Sequence, residues 1–212
     1  MAKHLIEINA DALKEVAEEL QEIPEKIAPA VAVIINRTMK GVITEVKRAA
    51  SSEYSVKQKD IAEAFTKKKG GGVSKATAQN LSSYADAAGG QIALYKFKHK
   101  PATTPKRQKY KSPVKVQVKK TGGEKVVRHN GNLAFMQNIK SKDGGDNHMI
   151  FAREGKARLP IKKLFALSVP QMLVGKDGTK PYIDKIVEKG NERLLKETRH
   201  EIKRRLEKIG EK

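Results

Sequence analysis

Residues 148–173 read HMIFAREGKARLPIKKLFALSVPQML, and the two prolines in that stretch govern how it folds. Proline fixes its own φ and pushes the preceding residue toward extended geometry, so Pro160 and Pro170 argue against a continuous helix through an otherwise apolar segment. Met149, Ile150 and Phe151 predict a short strand, Arg153-Glu154-Gly155-Lys156 a basic turn, and the residues beyond them an extended apolar return. A strand, a turn and a second strand are expected here.

Strand signals continue upstream. Leu133 and Phe135 predict a strand over Asn132 to Ile139, turned into the quoted stretch by Gly144-Gly145-Asp146-Asn147. Val114, Val116 and Val118 alternate with lysines, the period of a half-buried strand, and Thr121-Gly122-Gly123 is a hairpin-type turn into Val126 and Val127. Together these form an antiparallel meander with one face available to pack on a helix. Downstream, Gly175-Lys176-Asp177-Gly178 and Pro181 lead into a final helix marked by Ile183, Ile186, Val187, Leu194, Ile202, Leu206 and Ile209, with a gap near Glu197 and Thr198. Its other face alternates Lys, Glu and Arg, as a solvated surface does.

The N-terminal part reads as helical. Asp11 caps a short amphipathic helix over 11–22 through Leu13, Val16, Ala17 and Leu20, ending near Pro24. Val31, Ile35, Thr38, Val42, Val46 and Ala49 then mark one face of a helix from Ala30 to Ala50, widened by Ile34 and Ile43, with Pro29 acceptable in its first turn. At about 1.5 Å per residue it spans roughly 30 Å, the width of a small domain. Asn36 and Arg37 flank the stripe, either as a solvated edge or, for Arg37, as a fixed salt bridge or subunit contact. Ser55 is placed to cap a third helix from Val56 to Phe65 that turns Ile61, Ala64 and Phe65 inward.

The middle is less legible. Lys67-Lys68-Lys69-Gly70-Gly71-Gly72 has no apolar side chain and predicts a mobile solvated loop, or a nucleic-acid contact. Val73 to Ala88 fits strand, loop or weak helix, while Ile92, Leu94, Tyr95 and Phe97 suggest a strand. The run HKPATTPKRQKYKSP, 99–113, holds three prolines, five Lys or Arg and no acid, so alone it is expected to be an extended arm. The fold class is therefore α+β: a long N-terminal helix packed on an antiparallel sheet of about three to five strands, with a C-terminal helix and extended basic loops. A single domain is expected over 1–212, with a helical part (1–66), a basic arm (67–112), a sheet (113–174) and a last helix (180–210).

Charge is the strongest compositional signal. Residues 1–66 carry 9 cations against 11 acids, 67–172 carry 23 against 5, and 173–212 carry 12 against 8, so the middle holds +18 of the chain's +20. Such a field attracts polyanions, either nucleic acid or the acidic faces of proteins. There is no cysteine, which removes disulfides, zinc-thiolate sites and thiol nucleophiles. Acids interrupt the first twenty residues, and no run of about 18 uncharged apolar residues occurs, so neither a signal peptide nor a membrane span is expected.

Catalytic chemistry is not expected either. His4, His99, His129, His148 and His200 are scattered without metal-ligand spacing. Asp146-Asn147-His148 and His129-Asn130 suggest a nuclease, but Asp143, Asp146 and Glu154 are the only acids between Lys125 and Met172, too few for a metal-dependent one. Gly70 to Gly72 lacks the context of a phosphate loop. The reading is a non-enzyme with no cofactor and no metal.

Phe151-x-Arg153-x-Gly155-Lys156-x-Arg158-Leu159-Pro160-Ile161, followed by Leu164 and by Ser168-Val169-Pro170-Gln171-Met172, resembles the phage and prophage minor tail protein Z family. Ile35-Asn36-Arg37-Thr38 and Tyr54-x-Val56-Lys57 leading into Asp60-Ile61 resemble its N-terminal half, whereas about 67–131 matches loosely. The resemblance implies a structural subunit that completes the head-proximal end of the tail as a homo-oligomeric ring. It also implies assembly in the host cytoplasm and contacts with tail tube, terminator or neck proteins, with no membrane partner. On that reading Lys96, Lys98, Lys100, Lys106, Arg107, Lys109 and Lys111 face acidic neighbours or the genomic DNA of the tail channel. Arg153, Pro160, Ile161, Leu164, Pro170 and Met172 form the core or a subunit seam. The alternative is a free-standing basic nucleic-acid-binding protein, for which aromatics are few and reader motifs are lacking.

Overall fold

The computed structural model describes residues 5–9, 28–104, 113–140, 146–174 and 182–210. In chain order they form β1 (Ile6–Asn9), α1 (Ala28–Glu53), α2 (Gln58–Ala62), β2 (Gly72–Ser74), β3 (Ser82–Asp86), β4 (Lys98–Lys100), β5 (Lys115–Gln117), β6 (Lys125–Val126), β7 (Arg128–His129), β8 (Asn132–Leu133), β9 (Phe135–Lys140), β10 (Asp146–Arg153), β11 (Ile161–Lys163), α3 (Val169–Leu173) and α4 (Ile183–Gly210). The fold is α+β, as expected. The helix expected over 11–22, most of the arm and the turn at 144–145 lie outside the described residues.

The chain divides into two compact units: residues 1–49, 62–89 and 173–212 form the first, and 50–61 with 90–172 the second. In the first unit α1 buries Val31, Ile34, Ile35, Thr38, Val42 and Val46 of the stripe read from the sequence and also Met39, while Ile43 and Ala49 are half-buried. The C-terminal helix α4 buries Ile183, Leu194 and Thr198, so the apparent gap in its apolar face is a fully buried threonine. The two helices meet where α4 has a glycine. A Cβ on Gly190 would stand 2.6 Å from Val42 Cγ2 and 3.7 Å from Thr38 Cγ2. Farther along, Ala30, Val33, Ile34 and Arg37 of α1 face His200, Glu201 and Arg204 of α4 across a recess of about 470 Å³, so the helices run antiparallel.

The sheet of this unit, in the order β1-β3-β2, was not part of the expected meander. Its inner face pairs Ile6 with Ala85 and Ile8 with Ser83, all buried, and α4 packs against β1. Asn36, half-buried on α1, donates to the Ala76 carbonyl and accepts from the Ala76 N–H, each at 2.9 Å, which ties the β2–β3 loop to the helix. That is a structural role for Asn36 in place of a solvated edge.

Lys67 to Gly72 differs from the expected mobile loop. Lys67–Lys69 form an exposed 3-10 turn, Gly70 follows at φ 80, and Gly71 lies where a Cβ would be 2.0 Å from the Ala64 carbonyl oxygen and 2.7 Å from that of Asp86. Backbone crowding, which the sequence does not display, fixes the turn.

In the second unit β9, β10 and β11 form an antiparallel sheet that pairs Ile150 with Met136 and Phe151 with Phe135. Those two phenylalanine rings stack with centroids 6.3 Å apart. This is the strand, turn and strand expected of the quoted stretch, with one correction. Val169–Leu173 is a short helix, because Pro170 sits in its first turn, where its missing N–H costs nothing. Two further expectations fail locally. Ile92 to Phe97 is no strand: Leu94–Lys96 make a 3-10 turn whose backbone neighbours bond Leu164, Ala166 and Leu167. Ser55 caps nothing, since α2 begins only at Gln58 and the Ser55 hydroxyl has no hydrogen-bond partner among the described residues.

Candidate functional site

The second unit carries most of the charge: 21 cations against 6 acids, a net +15, where the first has 23 against 18, a net +5. Its lysines gather on the small sheet β4-β5-β6. Lys98 stands opposite Gln117 and Lys100 opposite Lys115, so Lys98, Lys100 and Lys115 share one exposed face while Val116 is buried on the other. Like charges directly opposite repel. Glu124 relieves this by pairing with Lys100 at 3.0 Å. Its hydrogen bond to Lys100, then the charges of Lys100, Lys98 and Lys115, hold the carboxyl below its usual value against a smaller opposing effect of burial.

Beside this sheet, residues 54–56 leave α1 and lie between two partners. Tyr54 bridges Lys119 and Val56 bridges Phe97, Ser55 N–H donates to Val118 O at 2.9 Å, and Lys98 N–H donates to Ser55 O at 3.2 Å. The result is a groove of about 480 Å³ lined by Ser55, Val56, Lys57, Lys98, Gln117 and Lys120. Gln117 Nε2 donates to Lys120 O at 2.7 Å and braces its rim. No carboxylate among the described residues lines it.

Neighbouring lysines are committed within the unit. Lys96 pairs with the buried Asp60 at 2.6 Å. Lys119 pairs with Glu53 at 2.8 Å and lies 5.4 Å from the Tyr54 ring centroid. The Glu53 hydrogen bond is the main cause that pushes the Lys119 ammonium up, and burial, then Glu53, push the Tyr54 phenol up, partly opposed by Lys119. Lys57, Lys98 and Lys120 are exposed, and none has an ion-pair partner among the described residues. Of the sequence-derived arm candidates, Lys96 and Lys100 are thus paired, Lys98 lines the groove, and Lys106, Arg107, Lys109 and Lys111 lie outside the described residues.

The seam candidates separate by burial. Leu164 and Met172 are buried, Ile161 and Pro170 half-buried, Arg153 and Pro160 exposed. The exposed turn 153–160 is clamped from the β7–β8 hairpin: Asn132 Nδ2 donates to the carbonyls of Arg153 at 3.1 Å and Gly155 at 3.2 Å, and Asn130 Nδ2 to that of Glu154 at 3.4 Å. Leu159, 67% exposed, lies in the same turn. Lys57 and this clamp do not stand out as site residues in the sequence. The Asn130-Gly131 pair, at φ 48 and 79, was the available hairpin signal.

Arg37 is exposed on the recess beside α4. His148 Nδ1 lies 2.9 Å from Thr104 Oγ1 and His99 Nδ1 2.7 Å from the Phe97 carbonyl, so both rings are held by local contacts. Among the described residues no three His, Asp or Glu come together as metal ligands would, and no helix is long and apolar enough to cross a membrane.

A model of the prophage minor tail protein Z family matches residues 11–212. No curated protein and no solved structure matches the chain.

Proposed function

We propose a tail-completing role for this chain, which belongs to the prophage minor tail protein Z family. The family makes it a structural phage tail protein that works among other tail proteins. The finer reading is that it closes the head-proximal end of the tail as a homo-oligomeric ring, without catalysis, its two units acting as one subunit. The observation that carries it is the pairing of a family match over 202 of 212 residues with a unit of net +15 in which the exposed Lys57, Lys98 and Lys120 have no ion-pair partner among the described residues. Such a surface suits acidic neighbouring subunits or the DNA path of the tail channel.

The test is electron microscopy of the purified protein mixed with tails assembled without it. Density at the head-proximal end alone, with rotational symmetry, is the expected result. Absence from tails, together with DNA binding that persists at physiological salt, would replace this reading with that of a free-standing nucleic-acid binder. In that case affinity should fall with log salt by about 0.9 power per phosphate contact.

A further inference from the structure

We infer that the groove of Ser55, Lys57, Lys98 and Lys120 is a seat for carboxylates, and that its occupant is the acidic segment 11–25 of a second copy of this chain. The inference rests on the homo-oligomeric reading above. Its first support is the division among the lysines: Lys96, Lys100 and Lys119 each hold an acid of their own unit, while Lys57, Lys98 and Lys120 surround one recess with none in its lining. Three lysines lining one recess give it a field of one sign, which favours an anion. The Ser55 hydroxyl, screened from solvent and without a partner among the described residues, adds a neutral donor on the same wall.

Charge complementarity supplies the occupant. Residues 11–25, DALKEVAEELQEIPE, carry six carboxylates against one lysine. The other acid-rich part of the chain, α4, interleaves its acids with cations, and two of them pair within the helix, Glu197 with Arg193 and Glu201 with Arg204. One chain thus carries a one-sided acidic segment and an unneutralised basic groove, the two unlike faces from which head-to-tail contacts build a ring. Nucleic acid fits the groove less well. Among the described residues no aromatic side chain lines it to stack a base, and a duplex presents its phosphates along an extended rail rather than around one recess.

The experiment uses the full chain as an equal mixture of ordinary and nitrogen-15-labelled protein, purified and also assembled on tails. A carbodiimide, which joins a lysine amine directly to a carboxylate that touches it, is the probe. Mixed-isotope cross-links from Lys57, Lys98 and Lys120 to Asp11, Glu15, Glu18, Glu19, Glu22 and Glu25 are expected. They should fall about tenfold in the K57E/K98E/K120E variant and return when it is mixed with an E15K/E18K/E22K copy. Circular dichroism unchanged in both variants excludes unfolding as the cause.

Cross-links confined to a single isotope would assign the groove to the chain's own segment and overturn the inference. So would their absence, or a triple variant that self-associates normally but loses duplex DNA binding. The two readings fail separately. A ring at tail ends without these cross-links keeps the tail role and removes this contact, whereas mixed cross-links in a protein that ignores tails keep the contact and remove the role.

Discussion

Among the described residues the two units bury apolar side chains in nearly equal number, yet the second carries three times the net charge of the first in fewer residues. The first is built on two long antiparallel helices that close on Gly190, and its acids and cations nearly balance. The second is built from strands of two to eight residues whose outward faces are rich in lysine. Since both have a core, the charge of the second is not a device for folding. Net charge speaks of partners and association rather than of fold, and the contrast divides the chain into a weakly charged unit and a strongly basic one.

The largest expected effect breaks the comparison at its core. Leu194→Asp should unfold the first unit and Ile150→Asp the second, since each places a carboxylate at a site 0% or 1% exposed, at a cost of several kcal/mol. Hydrogen exchange resolved by segment checks this: protection should vanish in the substituted unit first, and equal loss in both for either variant would mean the division has no energetic meaning.

Next comes Gly71→Ala, expected to cost about 3 kcal/mol because two backbone carbonyls stand in the way and neither is the mobile end of a side chain. Its neighbour Gly72 has nothing within 4 Å, so Gly72→Ala is the control and should change thermal unfolding little. Equal effects would return Lys67 to Gly72 to the status of a mobile loop.

Salt sharpens the comparison at smaller scale. Raising ionic strength from about 0.05 to about 0.5 M shortens the Debye length from roughly 14 Å to roughly 4 Å. Self-repulsion in the second unit should be screened and its exchange protection increase, while the first should hold nearly constant. An equal response in both units would show that the +15 is already neutralised internally.

The smallest effect belongs to Glu124. Its carboxyl is lowered in the folded chain, so its contribution is present above the unfolded value near 4.5 and is lost as pH falls through the folded value. Glu124→Gln should therefore lower the stability of the second unit slightly at pH 7, and the difference from the parent should vanish in acid. Thermal unfolding followed against pH reads both limbs, and a difference that persists below the folded value would assign the effect to packing.

Legibility followed the length of each repeat. The stripe of α1 runs for seven turns and was read nearly to its ends, and the alternation of Val114, Val116 and Val118 located β5 and its turn into β6. By contrast β2 and β3 are Gly-Val-Ser and Ser-Ser-Tyr-Ala-Asp, too short and too small in side chain for a periodic signal, and β3 pairs with Ile6 to Asn9 from more than seventy residues away. The segment from Ile92 to Phe97 was misread because its apolar residues are buried by contacts with 164–167 rather than by sheet alternation.

By itself the sequence determined the fold class, the long helices, the strand and turn around Pro160, the concentration of charge and the family likeness. Each of these is a local periodicity, a local stereochemical restriction or a sum over composition. Only the tertiary structure decided that Lys96, Lys100 and Lys119 are neutralised while Lys57, Lys98 and Lys120 face one groove. An ion pair is a matter of a few ångströms between residues such as Glu53 and Lys119, and the chain between them gives no sign of that distance.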